Sequence, residues 1–148
     1  MADALYAYSL VSVEIFDAII SCWDEKYRNN YIRPVTAIQQ LISPVWQPLL
    51  QTPPFPEYPS GHSVISNTAA TILTRLYGDN FHYTDDVEKP YGLPARSFTS
   101  FFAAAEEAAI SRLYGGIHFR EAIENGKSMG KYVGNNVLEK LAVTTFKK

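Results

Sequence analysis

Cysteine is almost missing from the chain, and that scarcity excludes two kinds of architecture. The single Cys22 allows no internal disulfide and no cysteine-based zinc site. It lies in a largely apolar stretch with no histidine or cation adjacent in sequence to activate it, so it reads as a small buried hydrophobe and not as a nucleophile. Charge is sparse as well, at 19% of residues, and thirteen Lys and Arg against fifteen Asp and Glu leave a formal net charge of −2. A chain without basic excess lacks the cationic surface that tracks nucleic acid, so any cationic site has to be local. A long uninterrupted apolar run is also missing. The stretch from Ala2 to Ile20 is broken by Asp3, Glu14 and Asp17, and no basic residues precede it as they do in a secretory leader. The chain therefore reads as soluble, without a membrane span and with its compartment left open. Repeats, low-complexity tracts and alternating strand patterns are absent from the sequence too. What it does hold is 47% hydrophobic and 14% aromatic residues in 148, enough to bury a core in one domain.

The pattern of apolar residues and breakers describes helices. Leu5, Tyr8, Ile15, Ile19, Cys22 and Trp23 recur at helical spacing in a first helix over Ala2 to Asn29, which Asn29-Asn30 breaks. Arg33-Pro34 restarts the chain as a short helix to about Ile42, because proline disfavours helical geometry in the residue before it yet suits a first turn. From Pro44 to Pro59 six prolines make a stiff loop. Ser60 is placed to cap a helix that runs to Leu76 and closes at Gly78. Asp79 to Arg96 reads as a surface excursion, after which Ser97 or Thr99 caps a helix over Phe101 to Tyr114, ended by Gly115-Gly116. A last helix, from about Ile117 to Leu141, carries Gly126, Gly130 and Gly134 four residues apart, a face that a neighbouring helix can approach closely. The expected fold is all-α, a bundle of four or five helices forming a single domain over residues 1–148.

Chemistry is expected where helix ends meet polar groups. A helix starting at Ser60-Gly61-His62 leaves unpaired N–H groups pointing at one spot, with the positive end of the helix dipole behind them, and that spot favours an anion. Gly61 permits close approach, Ser60 offers a hydroxyl, and His62 can move a proton near neutral pH. Taken alone, such a cap is commonplace. Lys26 and Arg33, at the end of one helix and the start of the next, and Arg112 and His118, on either side of Gly115-Gly116, add four further polar groups at helix ends.

These residues stand in three ordered motifs: Lys26-Tyr27-Arg28-Asn29-Asn30-Tyr31-Ile32-Arg33-Pro34, Pro59-Ser60-Gly61-His62, and Ser111-Arg112-Leu113-Tyr114-Gly115-Gly116-Ile117-His118. The set resembles the signatures of the superfamily that joins type 2 phosphatidic acid phosphatases with vanadium-dependent haloperoxidases, over Lys26 to about Gly134. The resemblance implies a helical bundle of the acid phosphatase/vanadium haloperoxidase type, with vanadate as cofactor and phosphate able to occupy the same site. It implies that Lys26, Arg33 and Arg112 hold the oxyanion's oxygens with the Ser60 hydroxyl and the Gly61 N–H. It further implies that His118 bonds the central atom and that His62 acts as acid or base on the opposite face. In a haloperoxidase Lys26 polarises the bound peroxide, and the small-molecule substrates are hydrogen peroxide and a halide. In a phosphatase the substrate is a phosphate ester, attacked by His118 to give a phosphohistidine.

Three features bear on that choice. The phosphatase pattern places an aspartate four residues after its last histidine to orient the imidazole, whereas here Ala122 stands there, with Glu121 or another carboxylate left to supply the contact. Trp23 and Phe55 resemble the aromatic residues on the halide side of vanadium haloperoxidases, and an apolar wall suits a large, weakly hydrated halide. Asp24, near Lys26, reads either as a partner for a cation of the site or as a solvated helix carboxylate. The runs Pro53 to His62 and Arg112 to Arg120 look most like soluble bacterial haloperoxidases, with iodide or bromide favoured as the halide. Family members are usually longer ahead of the first motif. The chain is accordingly expected to be the C-terminal catalytic part of a longer architecture, with the apolar face of its first helix packed on a missing N-terminal region or a second subunit. The competing class is a non-catalytic anion-binding helical domain.

Overall fold

The computed structural model describes residues 2–146. Five α-helices follow one another as α1 (Ala2–Asn29), α2 (Pro34–Leu41), α3 (Gly61–Tyr77), α4 (Phe101–Tyr114) and α5 (Arg120–Lys140). Two three-residue strands, β1 (Tyr83–Asp85) and β2 (Arg96–Phe98), interrupt them. The fold is the expected helical bundle, with α1, α4 and α5 each packed on α3. Pro34 opens α2 behind an extended Arg33, and the Ser60 side chain accepts from the Ser63 N–H at the start of α3, as local sequence dictates.

Three local expectations need correction. The excursion after α3 contains an antiparallel hairpin that pairs Tyr83 with Phe98 and Asp85 with Arg96. Strands this short carry no alternation to read, and what fixes them is an aromatic cluster: the Tyr83 ring lies 5.5 Å from Phe98 and 5.4 Å from Phe101. Because the hairpin takes up Ser97, the cap of α4 falls to Ser100, whose hydroxyl accepts from the Ala103 N–H at 3.0 Å; neither Ser97 nor Thr99 serves. Finally, α5 starts at Arg120 and not near Ile117. Gly116 turns the chain at φ 73° and Phe119 is extended, so His118 sits in a linker ahead of the helix.

The glycine face of α5 is filled by α3. A Cβ on Gly130 would lie 2.2 Å from the Val64 carbonyl oxygen, and one on Gly134 would lie 2.9 Å from the Thr71 Cβ. The Thr68 hydroxyl donates to the Gly130 carbonyl at 3.0 Å across the same seam. Two apolar clusters flank this contact: Ala18, Cys22, Val64 and Val133 toward the site, and Ala7, Leu10, Ile72, Leu76, Leu138 and Val143 at the far end. Cys22 is a buried free thiol within the first.

α1 presents two unlike faces. Inward it buries Ala7, Leu10, Glu14, Ala18, Cys22 and Lys26; outward it exposes Val13, Phe16, Ile20 and Tyr27. The Ala2–Leu41 stretch holds a window of mean hydropathy 1.5, long and apolar enough by composition to cross a membrane, yet its inner face packs against α3 and α5. Both carboxylate oxygens of Glu14 are buried without a partner, and burial, followed by the charge of Asp17, pushes the group up to about 7.

Two outcomes follow for stability. Gly130→Ala should cost about 2 kcal/mol or more and lower the thermal midpoint by roughly 5–10 °C, since two backbones must separate to admit the methyl group. An unchanged midpoint would contradict the seam. Glu14 binds its proton more tightly in the folded chain than in the unfolded one. Its stabilising effect is therefore complete below about pH 4.5 and declines as the pH rises to about 7. Denaturant titrations at pH 5 and pH 8 should show wild type losing on the order of 3 kcal/mol relative to Glu14→Gln; parallel pH profiles would count against the unpartnered carboxyl.

Candidate functional site

Two buried cations hold the proline-rich loop between α2 and α3. Six prolines deprive this segment of N–H donors while leaving its carbonyls unpaired, so the loop is a run of acceptors seeking donors. Lys26, in the last turn of α1, donates to the carbonyls of Pro56 at 2.9 Å, Glu57 at 3.0 Å and Pro59 at 2.6 Å. Burial pulls its ammonium down to about 8; Cys22 and the Glu57 carboxylate oppose the shift, and the charge of Arg33 adds to it. Arg33 donates from Nε to Phe55 O at 2.9 Å and from Nη2 to Pro56 O at 3.4 Å, while its Nη1 reaches the Ile117 carbonyl at 2.9 Å. The cations expected to hold an oxyanion thus direct these hydrogen bonds to the backbone, and they lend the site their charge.

The loop in turn positions the histidine. Glu57 Oε1 lies 2.7 Å from His118 Nδ1 and accepts from the Phe119 N–H at 2.9 Å, with both side chains almost fully buried. A carboxylate acceptor at Nδ1 fixes the tautomer that carries its proton there and leaves Nε2 unprotonated. That Nε2 accepts from Arg33 Nη1 at 3.3 Å. Burial lowers the His118 pKa, the hydrogen bond and charge of Glu57 oppose the shift, and the charges of Arg33 and Lys26 add to it. Ala122 plays no orienting part: its carbonyl accepts from the Ser60 N–H at 3.0 Å. Glu57 was not singled out from sequence, although it is the one acidic residue among the six prolines ahead of Ser60.

Opposite this pair stands the start of α3. Ser60 is fully buried, Gly61 lies against Trp23, and His62 is exposed on the first turn. Partial desolvation lowers the His62 pKa, and the charges of Arg112 and His118 lower it further. Arg112 donates from Nε to the Ser111 hydroxyl at 3.0 Å, and its terminal nitrogens have no protein partner among the described residues. Trp23 and Phe55 pack at 5.2 Å between ring centroids, with Lys26 Nζ 5.9 Å and 5.2 Å from the two rings and the Arg33 guanidinium 5.1 Å from Phe55. Asp24 does not pair with a cation of the site. It is exposed and pairs with Arg28 one turn along the helix, so the carboxylate that meets the site is Glu57. His82 is exposed, away from these contacts.

Lys26, Arg33 and Arg112 against Glu57 alone make a site with excess positive charge. Among the described residues no group of three or more His, Cys, Asp or Glu is arranged to hold a metal cation. The Arg112 terminal nitrogens, the Ser60 hydroxyl, the N–H groups that open α3 and His118 Nε2 are groups of the kind that a tetrahedral oxyanion with one nitrogen ligand would need. Vanadate and phosphate both fit that set.

Comparison with known proteins agrees in family. The family model described as VCPO second helical-bundle domain matches residues 6–45 and 41–145. The vanadium chloroperoxidase of Curvularia inaequalis is 26% identical over 170 residues, covering 80% of this chain and 28% of that protein. A crystal structure of a bacterial vanadium-dependent iodoperoxidase superimposes with a TM-score of 0.93 at 59% identity, covering 99% of this chain and 35% of the other. A holo-type bacterial vanadium-dependent chloroperoxidase, at 22% identity and a TM-score of 0.68 over 90% of this chain and 35% of its own, shares the fold. The chain spans about a third of the length of these relatives.

Removing the Glu57 carboxylate tests the geometry directly. Glu57→Ala leaves the His118 Nδ1–H and the Phe119 N–H buried without an acceptor and should cost about 2–4 kcal/mol. Nitrogen-15 shifts of the His118 ring should change from a single Nδ1–H tautomer to a mixture. A ring that keeps one tautomer in the variant would show that Glu57 does not set it.

Proposed function

The chain belongs to the VCPO second helical-bundle domain family, and on that premise we propose that it carries the vanadate site of a haloperoxidase that oxidises a halide with hydrogen peroxide to hypohalous acid. Its relation to vanadium haloperoxidases makes an enzyme the coarse reading, and iodide or bromide is the finer one. The observation that carries the proposal is His118 Nε2, an unprotonated nitrogen oriented by Glu57 beside the charges of Arg33 and Lys26. When bound there, vanadate supplies a Lewis-acidic centre that activates peroxide toward attack by a halide.

The protein's own residues do the rest. His118 offers its lone pair to the central atom. Arg112, the Ser60 hydroxyl and the Gly61 N–H take the outer oxygens, where guanidinium nitrogens match oxygen pairs. Lys26 and Arg33 act through their charge and by holding the loop that bears Glu57. His62, whose pKa is lowered by desolvation and by the charges of Arg112 and His118, is placed to accept a proton on the exposed side. Trp23 and Phe55 wall the cluster with apolar surface that excludes water and suits a polarisable halide. The uncovered outer face of α1 is the surface we assign to a further helical region or a second copy.

Glu57 also favours a second reading. The carboxylate that Ala122 cannot supply is present after all, so His118 is equipped to attack a phosphate ester. Nε2 would bond to phosphorus as the ester oxygen leaves with a proton from the imidazolium form of His62, and the neutral His62 left behind would take a proton from the water that releases phosphate. A non-catalytic anion-binding domain would bind either oxyanion and turn over neither substrate.

Loading the protein with orthovanadate in phosphate-free buffer, then measuring peroxide-dependent oxidation of iodide, bromide and chloride, tests the first reading. Iodide and bromide turnover is expected. His118→Ala should abolish vanadium retention, whereas His62→Ala should retain vanadium and slow turnover by about 10²–10⁴-fold. Ester hydrolysis in vanadate-free buffer without halide oxidation would reverse the order of the two readings.

A further inference from the structure

Between α3, α4 and the β1–β2 hairpin lies a cavity of about 740 Å³ for which halide, peroxide and vanadate leave no use. Ala104 and Ala108 on α4 face Ala69 on α3 across it, side chains too short to fill the gap between the helices. The hairpin side is an aromatic wall in which Tyr83 contacts both Phe98 and Phe101, the first residue of α4. Its inner end is lined by Arg112 and by Ser66. Ser66 follows His62 by one helical turn, so the trough opens on the face that carries His62. At the mouth, Arg96 is paired with Glu107, which leaves Asp85 and Glu88 as exposed, unneutralised carboxylates.

The trough is therefore cationic inside, apolar along its middle and anionic at its rim, with a volume in the range of small-molecule sites, roughly 300–1,000 Å³. We propose that it binds a flat aromatic ring bearing an ammonium group, the ring held between the alanines and the aromatic wall and the ammonium set against Asp85 and Glu88. This deepens the haloperoxidase reading and rests on it for its consequence: the ring is the organic acceptor beside His62 and Arg112. The ring's π electrons form the carbon–halogen bond as the halogen–oxygen bond of hypohalous acid breaks, and the hydroxide released takes the ring proton as water.

Binding can be read without turnover. Amide and side-chain NMR shifts are followed while tryptamine, 3-methylindole and indole-3-acetate are titrated in turn into the protein in a buffer containing inorganic phosphate. Phosphorus-31 line broadening reports occupation of the anion site in the same samples. Tryptamine should perturb Tyr83, Phe98 and Ala104 and bind at least about tenfold more tightly than indole-3-acetate, a preference that Asp85→Asn/Glu88→Gln should largely remove. Ala104→Leu, with its fold verified by circular dichroism, should weaken tryptamine and 3-methylindole alike. Equal or tighter binding of indole-3-acetate would overturn the assignment, as would perturbations that avoid the hairpin. Phosphate that leaves its own signal unbroadened while tryptamine shifts those residues would sink the anion-site reading and support the trough.

Discussion

The site depends on two buried cations answering a backbone that cannot satisfy itself. A loop with prolines at Pro53, Pro54, Pro56 and Pro59 forms no ladder and no helix, so its carbonyls must find donors elsewhere, and Lys26 and Arg33 supply them from α1 and the start of α2. The same bonds define where Glu57 stands, hence which nitrogen of His118 carries the proton and which does not. Removing either cation would therefore disturb charge and geometry together. That coupling distinguishes these residues from Arg112, whose terminal nitrogens are free of protein partners among the described residues.

The electrostatics of the cluster favour a bound anion. Lys26 and Arg33 share one carboxylate, Glu57, and desolvation raises the cost of the charge left unbalanced. A dianionic or trianionic oxyanion bound there would offset that cost and link binding to folding stability at this end of the bundle. Among the described residues the opposite end has no such arrangement. There Ala7, Leu10, Ile72, Leu76 and Leu138 form an ordinary apolar cluster, with the unpartnered Glu14 carboxyl on the same face of α1.

Much of the bundle was legible because its signals are local. Pro34 opening α2, the hydroxyl of Ser60 capping α3 and the glycine break after Tyr114 are decided by neighbours within a few residues. The hairpin was not legible, since three-residue strands have no period and their aromatic glue is tertiary. Glu57 escaped notice for a related reason: it meets His118 across 61 residues, and only the folded loop brings the two together. Asp24 misled because closeness to Lys26 in sequence, two residues along a helix, points the two side chains to different faces. The glycines at Gly126, Gly130 and Gly134 announced a close neighbour but not its identity, which α3 supplies.

That seam has a further consequence. Where α5 meets α3, main chain touches main chain, with the Ser60 N–H bonded to Ala122 O and the Ser60 carbonyl 2.9 Å from where a Gly126 Cβ would lie. Main chain has no rotamers to sample, so picosecond side-chain hopping cannot loosen this joint. The amides that open α3 are consequently aimed before any guest arrives, and ligand binding spends little entropy on ordering them.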